Sequence, residues 1–462
     1  MTNTQTSDFS KGSVAGNILR LAVPMTVAQL INVLYSVVDR MYIGRLPDAA
    51  GNALTGLGLT FPIISIVTAF ANLFGMGGSP LFSIERGRNN TEKAKEIMGN
   101  TFALLVGTGV VLTAVILLIK QPLLYAFGAS DTTYPYADGY ITIYLLGSIF
   151  VMVSLGMNNF INAQGFGRKG MMTVLIGAVT NIALDPVFIF VLHMGVRGAA
   201  LATILSQFLS ALWAVSFLRG RKALIRLELP YLRLNLKLVG KIIGLGFSSF
   251  VMAITNSMVQ VACNSTLQTF GGDLYVGVMT ILNSVREVVT TPINGVTSAA
   301  QPVMGFNYGA KQYHRVRTGI LFTTILCVVY TTAVWLLLFL FPRFFIGLFS
   351  GEEALREAAV PSMHIYFFGF FMMSLQMAGQ SAAVALGRSK QAVFFSLFRK
   401  VVIVVPLTLL LPHLYNLGVN GVFLAEPISN FIGGGACYIT MLLTIWREMR
   451  RKEKSALASQ AP

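Results

Sequence analysis

The chain has 462 residues, of which 55% are hydrophobic and only 11% are charged, and its mean hydropathy is +0.69. Soluble domains carry roughly 25% charged residues, so the composition excludes a water-soluble globular protein and indicates a chain embedded in membrane lipid. The formal charge of +16 would favour nucleic-acid binding in a soluble protein. Here the basic residues are dispersed over short loops, which the positive-inside rule explains, and we expect no nucleic-acid partner.

Long apolar stretches recur along the chain between short loops rich in glycine, proline and charge. Each is long enough to cross about 30 Å of hydrocarbon as a helix, and too long for a membrane strand. Backbone exposed to lipid must be hydrogen-bonded within helices or closed barrels. The sequence therefore predicts an all-α integral membrane protein with twelve transmembrane helices. In chain order the predicted spans are 14–43, 52–79, 94–119, 135–158, 171–192, 196–218, 237–262, 276–302, 314–340, 355–383, 391–411 and 419–446.

Basic residues concentrate in the loops after even-numbered helices and in the tail after helix 12. By the positive-inside rule, these loops and both termini are cytoplasmic, in a multi-pass protein of the inner (plasma) membrane. The predicted organisation has five parts. They are an N-terminal cytoplasmic tail (1–13), an N-lobe of six helices (14–218), a cytoplasmic linker (219–236), a C-lobe of six helices (237–446) and a basic cytoplasmic tail (447–462).

A series of landmark residues in the first half returns about 220 residues later in the same order. Three matched pairs are Ser79-Pro80 with Gln301-Pro302 at an offset of 222, Gly167-Arg168 with Gly387-Arg388 at 220, and Gly195 with Gly418 at 223. An ordered series indicates an internal repeat, which is typical of transporters built from two half-units around a central path. The repeat predicts two related lobes of six helices each.

Charged residues within the predicted spans are the candidates for chemistry. A charge at the centre of a transmembrane helix costs at least about 2.5 kcal/mol, so it normally faces a cavity or a partner and marks an ion or substrate path. The acidic candidates are Asp39, Asp185, Glu287 and Glu426. At the local repeat offsets, Asp39 aligns with Cys263 and Asp185 with Val405. Because the scaffold is duplicated but these acids are not, we expect ion coupling chiefly in the first lobe.

A polar stripe runs along one face of helix 1, because its members are separated by three, four and three residues. The stripe consists of Gln29, Asn32, Ser36 and Asp39. It predicts a polar path, and Pro24 is expected to kink the same helix. In the alternative interpretation, Asp39 lies near the outer headgroups and pairs with Arg40 or Arg45.

Helix 5 carries Asn181 and Asp185 four residues apart on one face, and Pro186 is expected to leave the carbonyl of Ile182 without its helical partner. A carboxylate, an amide oxygen and a free carbonyl suit a proton or a hard cation such as Na⁺. Helix 6 adds a polar face made of Thr203, Gln207 and Ser210. Alternatively, the neutral residues hold neighbouring helices together by hydrogen bonds.

The second half carries a different polar set. One face of helix 8 has Asn283, Glu287, Thr290 and Asn294, and helix 12 has Glu426 and Asn430. The substrate-cavity candidates of both lobes are Gln29, Asn32, Ser36, Gln207, Asn283, Glu287, Glu426 and Asn430. Arg286, Arg399 and Lys400 are candidates for ion pairing, so a structural role for Glu287 or Glu426 stays open beside a role in the cavity.

Six motifs, taken together, resemble a known family. They are Pro24, Asp39-Arg40-x-x-Ile43-Gly44, the Pro80 to Gly87 region, Gln164-Gly165-x-Gly167-Arg168, Asn181-x-x-x-Asp185-Pro186, and Gln301-Pro302 to Asn307-Tyr308-Gly309. Over 14–446 the sequence resembles the multidrug and toxic compound extrusion (MATE) family. The resemblance implies two six-helix lobes forming a V, and export of organic, often cationic small molecules in exchange for Na⁺ or H⁺.

The resemblance also implies where the coupling ion binds. In the DinF-like branch of the family, the acids of the ion site match Asp39 and Asp185, and the neutral ligands match Asn181 and Thr203. These four residues would therefore hold H⁺ or Na⁺. The NorM-like branch uses acids of helices 7 and 10 instead, and this sequence places none in the interior of those helices. The expected protein is closer to the DinF-like branch.

The sequence predicts a secondary active transporter and not an enzyme. It contains no GxxxxGK[ST] phosphate loop, so we expect an ion gradient to drive transport, no cofactor besides the coupling ion, and a monomer. A flippase for a lipid-linked oligosaccharide, or for another lipid of the same superfamily, stays open. Its pyrophosphate would need cations such as Arg20, Arg40, Arg286, Arg399 and Lys400. A membrane-embedded enzyme is a further alternative, although no HExxH or GxSxG motif supports it.

Overall fold

The structure, a computed structural model, describes residues 8–43, 50–349, 352–414 and 416–458. Within these ranges the side chains of residues 36, 37, 40, 50–52, 54 and 457 are not described. Every regular element of the described residues is a helix, which confirms the predicted all-α class. Helices satisfy their own backbone hydrogen bonds, and this is what a chain with so few charges needs in lipid.

The first half of the chain forms seven α-helices. They are α1 (Val14–Ile43), α2 (Ala50–Gly87), α3 (Thr91–Ala126), α4 (Tyr134–Leu146), α5 (Ser148–Ala163), α6 (Gly167–Pro186) and α7 (Val196–Arg219). A π-helical segment, Val187–Val191, continues α6 directly after Pro186. Proline has no backbone N–H, so the regular hydrogen-bond ladder of α6 cannot pass through this position.

The second half begins with a short 3-10 turn at Leu229–Leu232 and continues through α8 (Leu236–Gly309), α9 (Tyr313–Leu340), α10 (Pro342–Gly347), α11 (Glu353–Tyr366) and α12 (Phe370–Ala385). The rest is more irregular. It consists of α13 (Ser389–Leu397), a π segment (Phe398–Val404), α14 (Val405–Leu410), a 3-10 turn (Leu411–His413), α15 (Val419–Ser429), a π segment (Asn430–Gly434), α16 (Gly435–Met441), a π segment (Leu442–Trp446) and α17 (Arg447–Ala458).

The helices of the described residues account for the twelve predicted spans. Nine continuous helical stretches are long and apolar enough to cross a membrane, and two bent pairs, α4 with α5 and α11 with α12, each supply one more. The pairs bend by 55° and 51°. The twelfth span comes from α8, which has 74 residues and a non-helical break at Gly272 with φ 64° and ψ −164°. Glycine adopts this backbone conformation without the steric cost that a side chain would add.

The chain packs as two compact units, each with its own core. The first unit holds Val23–Gly246, and the second holds Phe9–Ala22 together with the chain from Phe247 onwards. The helix α1 therefore contributes its first turns to the second unit and the rest to the first.

The first unit contains a very close helix contact between α2 and the start of α8. A Cβ atom added at Gly246 would lie 1.7 Å from the carbonyl oxygen of Leu73, and one added at Gly77 would lie 2.1 Å from the carbonyl oxygen of Ile242. Such distances are possible only between backbones without side chains. Small residues at helix contacts are the usual way in which membrane helices gain van der Waals packing.

The segment between α7 and α8 is tied to the first unit by two amide side chains. Asn100 of α3 donates to the carbonyls of Tyr231 (3.3 Å) and Arg233 (3.0 Å), and its Oδ1 accepts from the backbone N–H of Asn235 (2.7 Å). Gln164 makes a matched pair of bonds with the backbone of Ile225, at 3.1 and 3.0 Å. The predicted linker, 219–236, is therefore fastened at several points of its backbone.

In the second unit, Arg315 of α9 holds the segment that precedes α1. Its guanidinium donates to the carbonyls of Gly12 (2.8 Å) and Phe9 (2.9 Å) and to Oδ1 of Asn307 (2.9 Å). The ring of Phe9 is fully buried and packs edge-on against Phe306, with ring centroids 5.8 Å apart. The start of the described chain is thus anchored by both polar and apolar contacts.

Candidate functional site

The structure brings three of the predicted ion-coupling residues together between α6 and α7. The Nδ2 atom of Asn181 donates to Oδ1 of Asp185 at 3.3 Å and lies 3.4 Å from Oγ1 of Thr203. Asp185 is fully buried, Asn181 is 1% exposed and Thr203 is 8% exposed. The contact of Asn181 with Asp185 follows from their spacing of four residues on one helix. A polar cluster thus lies inside the first unit.

Two oxygen atoms of this cluster are left without a donor. Oδ1 of Asn181 and Oδ2 of Asp185 are buried and accept no hydrogen bond from any described residue. An unsatisfied buried acceptor costs about 1–3 kcal/mol, and more if it is charged. A proton or a cation placed against these oxygens would remove that cost. The arrangement therefore fits a positively charged ligand.

Asp39 of α1 completes the cluster. Its side chain is half-buried, and its carboxyl group lies close enough to that of Asp185 for the two to interact electrostatically. Two adjacent ionised carboxyl groups repel each other, and a proton on one of them removes that repulsion. Without that proton, a cation must offset the repulsion between two adjacent negative charges. The pair can therefore exchange a proton for another positive charge.

The buried tyrosines of α4 were not predicted from the sequence as part of the site. Tyr140 is 4% exposed, and its hydroxyl group lies near the side chains of Asp39 and Thr203. Tyr144, one turn later, stacks on Tyr140 with ring centroids 6.2 Å apart. The signal was a spacing of four residues from Tyr136 through Tyr140 to Tyr144, which puts three hydroxyl groups along one side of a helix.

The oxygen atoms of the cluster suit H⁺ or Na⁺ better than a transition metal. The donor set consists of two carboxyls, one amide and one hydroxyl, and hard cations prefer such oxygen ligands. Among the described residues, no group of three or more His, Cys, Asp or Glu side chains could hold a metal ion. The side chains of Asp39, Asn181, Asp185 and Thr203 therefore carry the type of oxygen ligand that hard cations prefer.

The remaining cavity candidates of the first unit are less buried. Gln29 and Asn32 of α1 and Gln207 of α7 are all half-buried. The side chain of Ser36, predicted in the same stripe, lies outside the described residues, as do the alternative partners of Asp39, namely the side chain of Arg40 and all of Arg45. Ser210 holds α7 against α6, because its hydroxyl donates to the carbonyl of Thr173 at 2.9 Å.

In the second unit, Glu426 of α15 lies among three cations. Its carboxylate pairs with Arg286 (2.9 Å), with Lys400 (3.4 Å) and with Arg399. Glu426 and Asn430 are 5% and 1% exposed. The sequence-based expectation that these basic residues are ion-pairing candidates for Glu426 therefore agrees with the geometry.

The other two candidates of the second unit, Asn283 and Glu287, differ in their contacts. Asn283 of α8 donates to Gln260 (3.2 Å) and accepts from the hydroxyl of Tyr366 (3.4 Å), which in turn accepts from Arg286 (2.8 Å). Asn283 is thus linked to the Glu426 cluster. Glu287 is exposed and forms no ion pair within the described residues.

Comparisons with known proteins agree with the repeat and the fold. The MatE family model matches the chain twice, at residues 24–187 and 248–410. The chain is similar to the multidrug export protein MepA of Staphylococcus saprophyticus, with 23% identity over 450 residues, and to MepA of Staphylococcus aureus, with 22% over 451 residues; each alignment covers 96% of both chains.

Among solved structures, the chain is similar to a crystal structure of MATE in the bent conformation. The TM-score is 0.91 at 23% identity, and the match covers 98% of this chain and 99% of that chain. An outward-facing conformation of a multidrug resistance MATE family transporter gives a TM-score of 0.89 at 22% identity, over 98% of this chain and 100% of that chain. At such identities the likeness establishes a shared fold.

Proposed function

This chain belongs to the MatE family, and from that premise we propose that it is a cation-coupled multidrug efflux antiporter. It exports organic, often cationic small molecules in exchange for H⁺ or Na⁺. The similar MepA proteins of two Staphylococcus species are multidrug export proteins, which supports this substrate class. Within the family, the acids of the first unit favour the DinF-like branch.

The observation that carries the proposal is the pair of carboxyl groups at Asp39 and Asp185 with the acceptor atoms that surround it. The Oδ2 atom of Asp185 and the Oδ1 atom of Asn181 accept no hydrogen bond from the described residues, and the site needs at least one positive charge to be stable. A coupling ion and a cationic drug can each supply that charge. Competition for the same negative charge is the simplest form of antiport.

In the proposed cycle, the lobes 14–218 and 237–446 expose the path alternately to the two sides of the membrane. On the outer side, protonation or Na⁺ binding at Asp39 and Asp185 weakens the attraction for a cationic drug, which is released. The rocking of the lobes then returns the loaded ion site to the inner side, where the ion leaves and the drug binds. One net charge moving through about 100 mV supplies ~2.3 kcal/mol. Exchange of one ion for one monovalent cationic drug moves no net charge, so the concentration gradient of the ion then supplies the drive.

The proposal includes an inner (plasma) membrane location, cytoplasmic termini, a monomeric state and no cofactor besides the coupling ion. The long apolar helices make the chain a multi-pass membrane protein. A second candidate function, a flippase for a lipid-linked oligosaccharide, is favoured by the three cations around Glu426. The acid pair of the first unit favours a cationic substrate instead.

Transport by the purified protein in proteoliposomes tests the proposal. We would impose a pH gradient and a Na⁺ gradient separately and follow the efflux of ethidium, a cationic dye, and of a neutral dye of similar size. The proposal predicts that at least one gradient drives ethidium export. Absence of export under both gradients, together with movement of a fluorescent lipid-linked diphosphate between leaflets, would replace it with the flippase.

A further inference from the structure

The second unit contains a buried cluster of three cations and one acid that the proposed ion coupling does not use. Both carboxylate oxygens of Glu426 are paired with cations. Oε1 pairs with Arg286 (2.9 Å) and with Arg399, and Oε2 faces Nζ of Lys400 at 3.4 Å. Arg399 also donates to Oε1 of Gln376 at 2.7 Å and to Oγ of Ser429 at 3.4 Å. The four charged groups come from α8, from the π segment Phe398–Val404 and from α15.

Most of the cluster is buried. Arg399, Lys400 and Glu426 are only 4%, 5% and 5% exposed. An ammonium group has three N–H donors, and Lys400 uses one of them, over a long distance, on Glu426. Its other donors meet no acceptor among the described residues. Lys400 is therefore buried with most of its hydrogen-bonding capacity unused.

The charges within the cluster do not balance. One carboxylate faces three cations, and the remaining intramembrane candidate, Glu287, forms no ion pair within the described residues. A neutral lysine would not restore the balance, because the two arginines stay protonated in proteins. Uncompensated charge inside a membrane protein is costly. The cluster therefore needs at least one further negative charge.

The edge of the cluster at Arg286 is where such a charge can reach it. The side chain of Arg286 is 22% exposed, and its Nη1 is held by the hydroxyl of Tyr366. Asn430, one turn beyond Glu426, is 1% exposed, and its Oδ1 accepts no hydrogen bond from the described residues. Its spacing of four residues from Glu426 puts the amide on the same side of the helix as that carboxylate. The unused donors of the cluster thus lie on Lys400, and Arg286 is its most exposed cation.

We propose that Arg286, Arg399, Lys400 and Asn430 form a binding site for a small anionic group in the second unit. The group is the carboxylate of a zwitterionic substrate or a free inorganic anion such as chloride. Glu426 holds the cations in place but neutralises only one of them. The inference rests on the proposed export function and extends its substrate class from cations to zwitterions.

Two rhodamine dyes test the substrate form of this site. One carries a free carboxylate and is a zwitterion, and the other is its methyl ester, a cation that is otherwise identical. We would measure the dissociation constant of each dye with full-length wild-type protein and with Lys400→Gln, Lys400→Arg and Lys390→Gln. Lys390 is an exposed lysine of α13, so its substitution is the matched control.

If the substrate's carboxylate binds here, Lys400→Gln weakens binding of the zwitterion on the order of tenfold, ~1.4 kcal/mol. The dissociation constant of the ester stays within about twofold of its wild-type value. Lys400→Arg and Lys390→Gln keep the wild-type values. Folding is checked by thermal unfolding, where we expect no loss in Lys400→Gln because the substitution reduces the excess charge.

If a free anion binds instead, replacing chloride by gluconate lowers the unfolding temperature of the wild type and of Lys390→Gln, but not of Lys400→Gln. The site is refuted if Lys400→Gln folds, binds both dyes with unchanged relative affinity and responds to chloride as the wild type does. Export of the ester under an ion gradient reports on the antiport proposal independently, since a pure cation does not need this site.

Discussion

The carboxyl groups of Asp39 and Asp185 lie close to each other in the interior of the first unit, although they belong to the first and sixth helices of the chain. Around them lie Asn181, Thr203 and the hydroxyl of Tyr140. A pair of acids with buried, unsatisfied oxygens requires a positive charge. The protonation or the ion occupancy of the pair must therefore change whenever that charge leaves. This relationship is the physical basis of the coupling proposed above.

Thr203→Val is expected to destabilise the first unit by about 1–3 kcal/mol, because it removes the oxygen next to Asn181 Nδ2 and leaves that buried donor with one partner fewer. Thermal unfolding in detergent measures the effect. Thr173→Val is the matched control, since the hydroxyl of Thr173 bonds to the carbonyl of Lys169 in its own helix. Equal unfolding temperatures for the two variants would show that the contact of Thr203 adds no stability.

Gly246→Ala is expected to prevent normal packing of the first unit. The added Cβ would lie 1.7 Å from the carbonyl oxygen of Leu73, a backbone atom that cannot rotate away. The control is Gly240→Ala on the same helix, where nothing lies within 4 Å of the new atom. Alanine is the better helix former by about 1 kcal/mol, so the control should be at least as stable as wild type. Size-exclusion profiles and unfolding temperatures distinguish the two, and a monodisperse, equally stable Gly246→Ala protein would contradict the close contact.

Glu426→Gln is expected to lower the stability of the second unit by roughly 3–5 kcal/mol, because removing one partner of a buried ion pair strands the other charges. Glu287→Gln, the same change at an exposed position without an ion pair in the described residues, should cost less than about 0.5 kcal/mol. Chemical or thermal unfolding of both variants compares them directly. Similar losses of stability in the two variants would mean that the cations around Glu426 do not need its negative charge.

Asn100→Ala is expected to release the segment 219–236, since it deletes the hydrogen bonds to Tyr231, Arg233 and Asn235 together. The segment is rich in Lys and Arg, so limited trypsin digestion reports its exposure. We expect cleavage there to become several-fold faster. The control is Asn159→Ala, because the amide of Asn159 bonds to the carbonyl of Leu155 in its own helix. An unchanged cleavage rate in Asn100→Ala would show that other contacts hold the segment.

Some of these features could be predicted from the sequence because they depend on local patterns. Apolar length predicted the helices, and the gap between the spans 237–262 and 276–302 anticipated the break at Gly272. Asn181 and Asp185 were found because four residues separate them on one helix. The approach of Asp39 and the tyrosines of α4 was not predictable in this way, since it depends on how α1 and α4 pack against α6 and α7.

The Glu426 cluster shows the same limit. The sequence indicated its three basic residues as pairing candidates. Only the folded unit, however, shows that all three meet at one carboxylate. Arg399 and Lys400 are neighbours in sequence, and both reach Glu426 from a π-helical segment. The wider turn of a π-helix differs from the α-helical period on which the sequence interpretation relied. The excess of positive charge could therefore be seen only in the structure.

The most direct test of the central claim is the effect of the coupling ion on drug binding. We would measure the dissociation constant of ethidium while lowering the pH and, separately, while adding Na⁺, for wild type and for the Asp39→Asn, Asp185→Asn double variant. Coupling of about 1–3 kcal/mol corresponds to a 5- to 150-fold change. We predict such weakening in wild type with at least one ion, and a nearly constant affinity in the double variant. An equally large ion effect in a folded double variant would contradict the account.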